Sequence, residues 1–130
     1  MTKVKRRAWK HVFGEASWIA RTGNFRTKEQ HGLIERANYA YGMLRAADCA
    51  KYFGHDEVTV VEFGVASGGG LTNMVDLAKI IEQETRVKFH IFGFDTGAGL
   101  PHIDGYKDHP EIWNPGDFTM EDRSGLEKSV

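Results

Sequence analysis

A glycine-rich segment that follows an acidic residue is the part of this sequence best suited to chemistry. The segment VEFGVASGGGL, residues 61–71, places small residues at alternate positions after Glu62. Small residues let a ligand approach the backbone, and unpaired amides at the start of a following helix favour a carboxylate or another anionic group. We therefore predict a ligand-binding loop that is formed by Glu62, Gly64, Val65, Ala66, Ser67 and Gly68.

The same segment restricts which cofactor this loop could hold. A phosphate-binding P-loop needs a lysine followed by serine or threonine after its glycines, and no such lysine is present. Gly64, Ala66 and Gly69 give G-x-A-x-x-G, an imperfect dinucleotide fingerprint. The Glu62 carboxylate would repel a pyrophosphate, but it could meet the ammonium group of S-adenosylmethionine directly or through water. The alternative is a glycine-rich turn that only allows tight packing.

A second acid, Asp95, follows the next apolar run, FGF at residues 92–94. If both runs are parallel strands, their carboxyl ends open on the same side of the sheet, and Glu62 and Asp95 flank one crevice. A carboxylate at this place can accept hydrogen bonds from both hydroxyls of an adenosine ribose. The alternative is an aspartate that caps its own loop.

The elements that must position these acids follow from hydrophobic periodicity. The β-branched run over residues 58–63 predicts a buried strand, and residues 87–94 predict a second one. Between them, apolar residues recur at helical spacing from Leu71 until a polar stretch at residues 82–86. A strand, a glycine loop, a helix and a strand make a βαβ unit with parallel strands, so the predicted fold class is α/β with flanking helices.

The region before the first strand predicts one long helix. Thr27 and Gln30 form a capping-box pattern, and apolar residues continue at helical spacing until Gly54, which predicts a helix over about residues 28–53. Residues 1–26 have no clear period. We therefore divide the chain into an N-terminal extension, residues 1–27, and an incomplete Rossmann-like domain, residues 28–130.

The region after Asp95 contains all three prolines of the chain and predicts a long irregular loop. It carries His102, Asp104, Asp108 and His109, which could act as metal ligands or as a general base. Their spacing matches no standard metal site, which favours a solvated or lid-lining role.

Three segments of the chain resemble a known family. VEFGVASGGGL, GFDTGAGLP at residues 93–101 and WNPGDF at residues 113–118 are similar to class I S-adenosylmethionine-dependent methyltransferases of the macrocin O-methyltransferase-like branch. That branch typically has an acidic strand, a glycine-rich turn, a strand ending in Asp-Ser-Phe-x-Gly-Leu-Pro, then a tryptophan and a Gly-x-Phe. Residues 96–98, Thr-Gly-Ala, replace the Ser-Phe-x portion, so its aromatic residue is missing. The resemblance covers about residues 30–120 and implies that Asp95 and Thr96 belong to the cofactor site.

The resemblance also implies a partial Rossmann-like methyltransferase fold, because this chain provides only the first strands of the family's sheet. We expect Val130 to end a partial chain. The implied reaction is methyl transfer from S-adenosylmethionine to an oxygen of a small-molecule acceptor, with residues 62–68 at the methionine end and Asp95 at the ribose. A divalent metal serves some members, but no residues here indicate one, and no catalytic base is assigned. The alternatives are an NAD-dependent oxidoreductase fragment and a non-catalytic remnant of a methyltransferase.

Composition limits the partners and the compartment. The chain is 41% hydrophobic and 27% charged, which is typical of one globular domain, and its net charge of −1 gives no reason to expect nucleic acid. No apolar stretch is long enough to span a bilayer, and the single cysteine, Cys49, cannot form an internal disulfide. We expect a cytoplasmic protein with no membrane partner, and uncovered apolar surface could make it a homo-oligomer.

Overall fold

A computed structural model describes residues 16–129 of the 130-residue chain. In chain order, the elements are α1, which includes residues 16–22, α2 (Phe25–Gln30), α3 (Ala37–Tyr52), β1 (Glu57–Phe63), α4 (Gly69–Thr85), β2 (Lys88–Phe94), a 3₁₀ turn (Tyr106–Asp108) and α5 (Arg123–Ser129). The chain is therefore an α/β protein, as the sequence predicts. Residues 1–15, which make up much of the predicted N-terminal extension, lie outside the described residues.

The predicted strand–helix–strand unit is confirmed. β1 and β2 pair in parallel, in a register that runs from Glu57 opposite Lys88 to Phe63 opposite Phe94. Helix α4 connects them and begins at Gly69, two residues before the predicted Leu71. Because the strands are parallel and end side by side, the loops that leave β1 and β2 open at the same end of the sheet.

The core lies between one face of this sheet and helices α3 and α4. Leu44 of α3, Ile81 of α4 and Val87 are its largest fully buried side chains. Every second residue of each strand packs toward them, and these half-buried positions include Val58, Val60, Phe89 and Ile91. Burial of this apolar surface holds the βαβ unit in place.

The opposite face of the sheet is open, which corrects the prediction of two buried strands. Val61, Phe63, Phe92 and Phe94 point to this face and are 43%, 81%, 52% and 56% exposed. The Phe63 and Phe94 rings stack with a centroid separation of 5.5 Å. The prediction was wrong because an apolar run indicates that a strand can be buried on both faces, while both helices that pack on this sheet cover the same face.

The predicted helix over residues 28–53 is wrong, because the chain forms two helices there. Gly32 adopts a left-handed conformation with φ of 64°. Its N–H donates to the Glu29 carbonyl and the Leu33 N–H donates to the Lys28 carbonyl, the Schellman pattern that ends α2. Helix α3 then starts after Arg36, which is also left-handed, with φ of 50°. Glycine at position 32 therefore ends the first helix despite the continuing apolar period.

The start of α2 also differs from the prediction. Asn24, rather than Thr27, is the N-cap, and its Oδ1 accepts hydrogen bonds from the Thr27 N–H and hydroxyl at 2.9 Å each. The Thr27–Gln30 pattern is thus not a capping box. The predicted boundary between residues 27 and 28 falls inside α2.

A network of ion pairs joins α2 to the helices of the core. The Arg26 guanidinium donates to both oxygens of Asp48 in α3, at 2.8 and 2.6 Å, and to Glu84 in α4. The Asp48 carboxylate beside Arg26 has its pKa lowered, chiefly by this hydrogen bonding. Arg45 extends the network to Glu29 at 3.3 Å. The network fixes α2 across α3 and α4, on the side of the sheet that carries the core.

Candidate functional site

The glycine loop turns tightly between β1 and α4. Gly64, Ala66 and Gly68 all have positive φ, at 84°, 49° and 85°. Gly64 continues the strand pairing, because its N–H donates to the Phe94 carbonyl at 2.9 Å. Gly68 is the N-cap of α4, and no side chain caps the helix start. The loop therefore leads directly into the first turn of a 17-residue helix, whose leading amides have no intrahelical acceptor.

Packing explains some of these small residues. A Cβ atom added at Gly68 would lie 2.4 Å from Leu126 Cδ1 of α5, and one added at Gly70 would lie 2.1 Å from Glu62 Oε1. A Cβ atom at Gly64 would meet nothing within 4 Å. The tight-packing interpretation therefore holds for Gly68 and Gly70, while Gly64 serves the backbone turn and leaves open space beside it.

Glu62 is a half-buried carboxylate that lies against the helix start. It occupies the helix-facing side of β1, and Tyr39 of α3 donates its hydroxyl to Oε1 at 2.6 Å. Oε2 is buried, and it accepts no hydrogen bond from any residue in the described range. The hydrogen bond to Glu62 is also the main cause of the raised pKa of Tyr39. Glu62 therefore has one oxygen held by a side chain and one buried oxygen with unused acceptor capacity.

Asp95 is held in a different way. Its Oδ2 accepts the Ala66 N–H at 2.9 Å, and its Oδ1 accepts the Gly97 N–H at 2.6 Å. The bonds from these two backbone amides, Ala66 first, lower the pKa of Asp95 below its ordinary value. The carboxylate is exposed, and it connects the glycine loop to the loop that follows β2. Asp95 thus caps its own loop, as the alternative reading of the sequence has it, and also ties that loop to the glycine loop.

The structure groups the predicted site residues into more than one cavity. Gly64, Ala66, Asp95 and Thr96 line a cavity of about 400 Å³. Val65 and Asp95 line a neighbouring cavity of about 340 Å³ under α5. Glu62 lines a third, of about 550 Å³, along the outer edge of β1 beside Tyr39. The strand ends are adjacent, as predicted, but within the described residues no one of these three cavities contains both acids.

Two smaller site residues complete the loops. Ser67 is exposed at the tip of the glycine loop. The Thr96 hydroxyl accepts the Ala98 N–H at 3.2 Å, which shapes the turn after β2.

Phe118 also lines the 400 Å³ cavity, and its ring centroid lies 5.3 Å from that of Trp113. Phe118 thus provides an aromatic wall for this cavity.

The two motif segments after β2 are joined to each other. Within GFDTGAGLP and WNPGDF, the Leu100 N–H donates to the Asp117 carbonyl and the Gly116 N–H donates to the Leu100 carbonyl, each at 2.8 Å. These bonds form a neck at residues 97–100 and 116–120. The chain between the two halves of the neck is a largely exposed excursion, residues 101–115.

The histidines and acids of this excursion do not converge. His102 Nε2 lies 3.8 Å from Asp104 Oδ1, while His109 Nδ1 lies 2.9 Å from Glu111 Oε1. The Asp108 carboxylate accepts the Asp104 N–H at 3.0 Å. Across residues 16–129, no group of three or more histidine, cysteine or acidic side chains is arranged to hold a metal ion.

Sequence reasoning missed two neighbours of the site. Tyr39 and Arg36 come from the α3 region, and the Arg36 guanidinium lies 5.7 Å from the centre of the Tyr39 ring. The same guanidinium would be 3.1 Å from a Cβ atom at Gly69, the first residue of α4. The only signal in the sequence was an aromatic hydroxyl beside the apolar stripe of α3, and periodicity cannot show what it contacts.

No protein-family model matches this chain, and neither a curated protein nor a solved structure matches it. Among the described helices, none combines the length and the apolar character that crossing a membrane requires.

Proposed function

We propose that this chain binds S-adenosylmethionine at the carboxyl ends of β1 and β2, and that it forms the cofactor-binding part of an O-methyltransferase. When bound, the cofactor supplies an electrophilic methyl group on its sulfonium. The contribution of the residues described here is to hold and orient that donor toward a small-molecule acceptor.

The buried Oε2 of Glu62 is the observation that carries this proposal. A buried carboxylate oxygen without a hydrogen bond costs free energy, and a ligand ammonium can supply the missing donor. The carboxylate lies against Gly70 at the positive end of the α4 dipole, which stabilises its charge there. An ionised acid at this place favours a ligand with a positively charged end, such as the methionine part of the cofactor.

The surroundings of Asp95 support a ribose at the end of β2. Oδ2 of Asp95 accepts the Ala66 N–H, Oδ1 accepts the Gly97 N–H, and the Val65 N–H contributes less. Because a carboxylate has about four lone-pair sites, the exposed group can still accept a hydrogen bond from a ligand hydroxyl. The adjoining cavity of about 400 Å³ is within the range of small-molecule sites, and Phe118 gives it an aromatic wall for a planar base.

The same geometry disfavours the dinucleotide alternative. A diphosphate at the start of α4 would approach the Glu62 carboxylate, and two like charges about 4 Å apart repel by about 4 kcal/mol at an effective dielectric constant of about 20. Residue 66 is alanine where the dinucleotide fingerprint needs glycine. Both features favour S-adenosylmethionine over NAD.

Isothermal titration of the folded chain with S-adenosylhomocysteine and, separately, with NAD tests the proposal. We expect binding of S-adenosylhomocysteine and none of NAD. Asp95→Asn is expected to weaken that binding about tenfold, because a charged acceptor of hydrogen bonds is lost. The matched control is Asp104→Asn, an exposed aspartate of the excursion, which should bind as the wild type does. A folded chain that binds neither ligand, or that prefers NAD, contradicts the proposal.

A further inference from the structure

The Glu62 carboxylate has one side-chain partner among the described residues, the hydroxyl of Tyr39. We propose that Tyr39 is a positioning residue: it fixes one oxygen of Glu62 so that the other faces the ammonium group of the cofactor's amino-acid end. This inference rests on the proposed function and adds to it a residue from α3, outside the glycine loop.

The position of Tyr39 suits this role. It lies near the start of α3, half buried, and its hydroxyl reaches Oε1 at the short distance of 2.6 Å. The Arg36 guanidinium packs over its ring at 5.7 Å from the centroid. The Tyr39 side chain therefore contacts a cation at its ring face and a carboxylate at its hydroxyl.

The protonation of Tyr39 is compatible with steady donation. Its pKa is raised above the ordinary value, first by the hydrogen bond to Glu62 and then by burial. An unperturbed phenol has a pKa of about 10, so the Tyr39 hydroxyl keeps its proton throughout the neutral range. Glu62 then remains an acceptor that has one oxygen bonded and one free for a ligand donor.

The ligand class follows from the chemistry of that free oxygen. Oε2 is buried, and as part of a carboxylate it can accept a hydrogen bond but cannot donate one. A ligand atom that pairs with it must therefore be a donor, and a cationic donor forms the stronger bond. An α-ammonium group meets this requirement. A nucleoside without an amino-acid end would leave Oε2 without a hydrogen-bond donor. Tyr39 should therefore change the affinity only for ligands that carry the ammonium group.

Two ligands separate these cases. S-adenosylhomocysteine has the amino-acid end, whereas 5′-methylthioadenosine has the same adenosine and thioether without it. We expect Tyr39→Phe to weaken S-adenosylhomocysteine binding about tenfold, since the carboxylate loses its orienting hydrogen bond, and to leave 5′-methylthioadenosine binding unchanged. The matched control is Tyr41→Phe on the same helix, whose ring also lies beside an arginine but whose side chain is 57% exposed.

A double-mutant cycle separates the Tyr39–Glu62 contact from a general effect of Tyr39→Phe on stability. In a Glu62→Gln background, Tyr39→Phe should cause no further loss of S-adenosylhomocysteine affinity, because the two residues act through one contact. Equal losses for both ligands, or independent losses in the cycle, would mean that Tyr39 only stabilises the fold, and would overturn this inference while leaving the proposed function standing. A wild-type chain that binds neither ligand would overturn both.

Discussion

The ends of the two strands each carry an acid, but the two acids are held in opposite ways. Glu62 lies inside the helix layer, where one side chain, Tyr39, holds it and one oxygen stays without a protein donor. Asp95 lies one residue past the end of β2, exposed, and the backbone amides of Ala66 and Gly97 hold it.

The difference follows from where each residue stands in its strand. Glu62 is inside β1 at a position that alternation directs toward α3 and α4, so its partners are side chains and a helix start. Asp95 has left the strand and enters a turn, where its nearest donors are backbone amides. The Glu62 side chain should therefore be able to move when a neighbouring residue is substituted. The loop around Asp95 is held by backbone hydrogen bonds and should not be able to move in this way.

The largest effect is expected at the Asp95 end, from Gly99→Ala. Gly99 has φ of 77°, and a Cβ atom there would lie 2.4 Å from the Gly116 carbonyl oxygen and 2.6 Å from that of Asp117. Neither backbone atom can move without opening the neck. We expect a loss of about 2 to 4 kcal/mol in the free energy of unfolding, from the left-handed backbone and the overpacking together. Urea denaturation measures it, and hydrogen exchange of the Leu100 amide reports the neck directly.

Gly97→Ala is the matched control for this effect. Gly97 has a similar φ of 74°, but a Cβ atom there would meet nothing within 4 Å. Only the backbone cost of about 1 to 2 kcal/mol should remain. If both variants lost the same stability, the neck would not be rigid, and the contrast between the two ends would be wrong.

Gly70→Ala, beside Glu62, is expected to have a smaller effect on the free energy of unfolding. The sign of this effect should depend on whether residue 62 is glutamate or alanine. The added methyl group would displace the Glu62 carboxylate, which is the flexible end of a side chain, from Tyr39. We expect a loss of about 1 kcal/mol, because a hydrogen bond to a charged group, worth about 1.5 to 3 kcal/mol, exceeds the helix-propensity gain of up to about 1 kcal/mol.

The same substitution in a Glu62→Ala background should stabilise the chain by up to about 1 kcal/mol, because only the helix propensity is left. Urea denaturation of the four variants of this cycle measures the coupling between Gly70 and Glu62. Additive effects would show that the carboxylate is not held against the helix start.

The fold around the site could largely be predicted from the sequence. The βαβ unit has a clear period in each element and glycines at its turns, so its strands and helix were predicted nearly to the residue. The prediction of one long helix was wrong because the chain leaves the helical conformation at Gly32 and a new helix starts after Arg36, although the apolar pattern continues. The prediction of two buried strands was wrong because apolar strand residues do not show which face of the sheet a helix covers.

The site was less predictable. The sequence identified Glu62 and Asp95 at adjacent strand ends, since parallel topology requires it. It did not identify Tyr39, because a hydrogen bond between residues 23 positions apart in the chain leaves no local pattern. Nor did it predict that the acids would line different cavities, which depends on the direction in which each side chain leaves the sheet.

The smallest effect should come from Asp95→Asn, and it should depend on pH. Amide hydrogen bonds lower the folded-state pKa of Asp95, so its charge stabilises the fold above the unfolded pKa of about 3.9, and this contribution is lost as pH falls through the folded pKa. We therefore expect the wild type to exceed the variant in urea midpoint near neutral pH, by a margin that solvent screening keeps small, and the margin to shrink below about pH 4. Glu121→Gln, which changes an exposed carboxylate without a hydrogen bond to any described residue, should match the wild type at neutral pH. A margin that did not change between pH 7 and pH 3 would mean that the amides of Ala66 and Gly97 do not depend on the charge of Asp95, and the backbone-held end would then owe its rigidity to the neck alone.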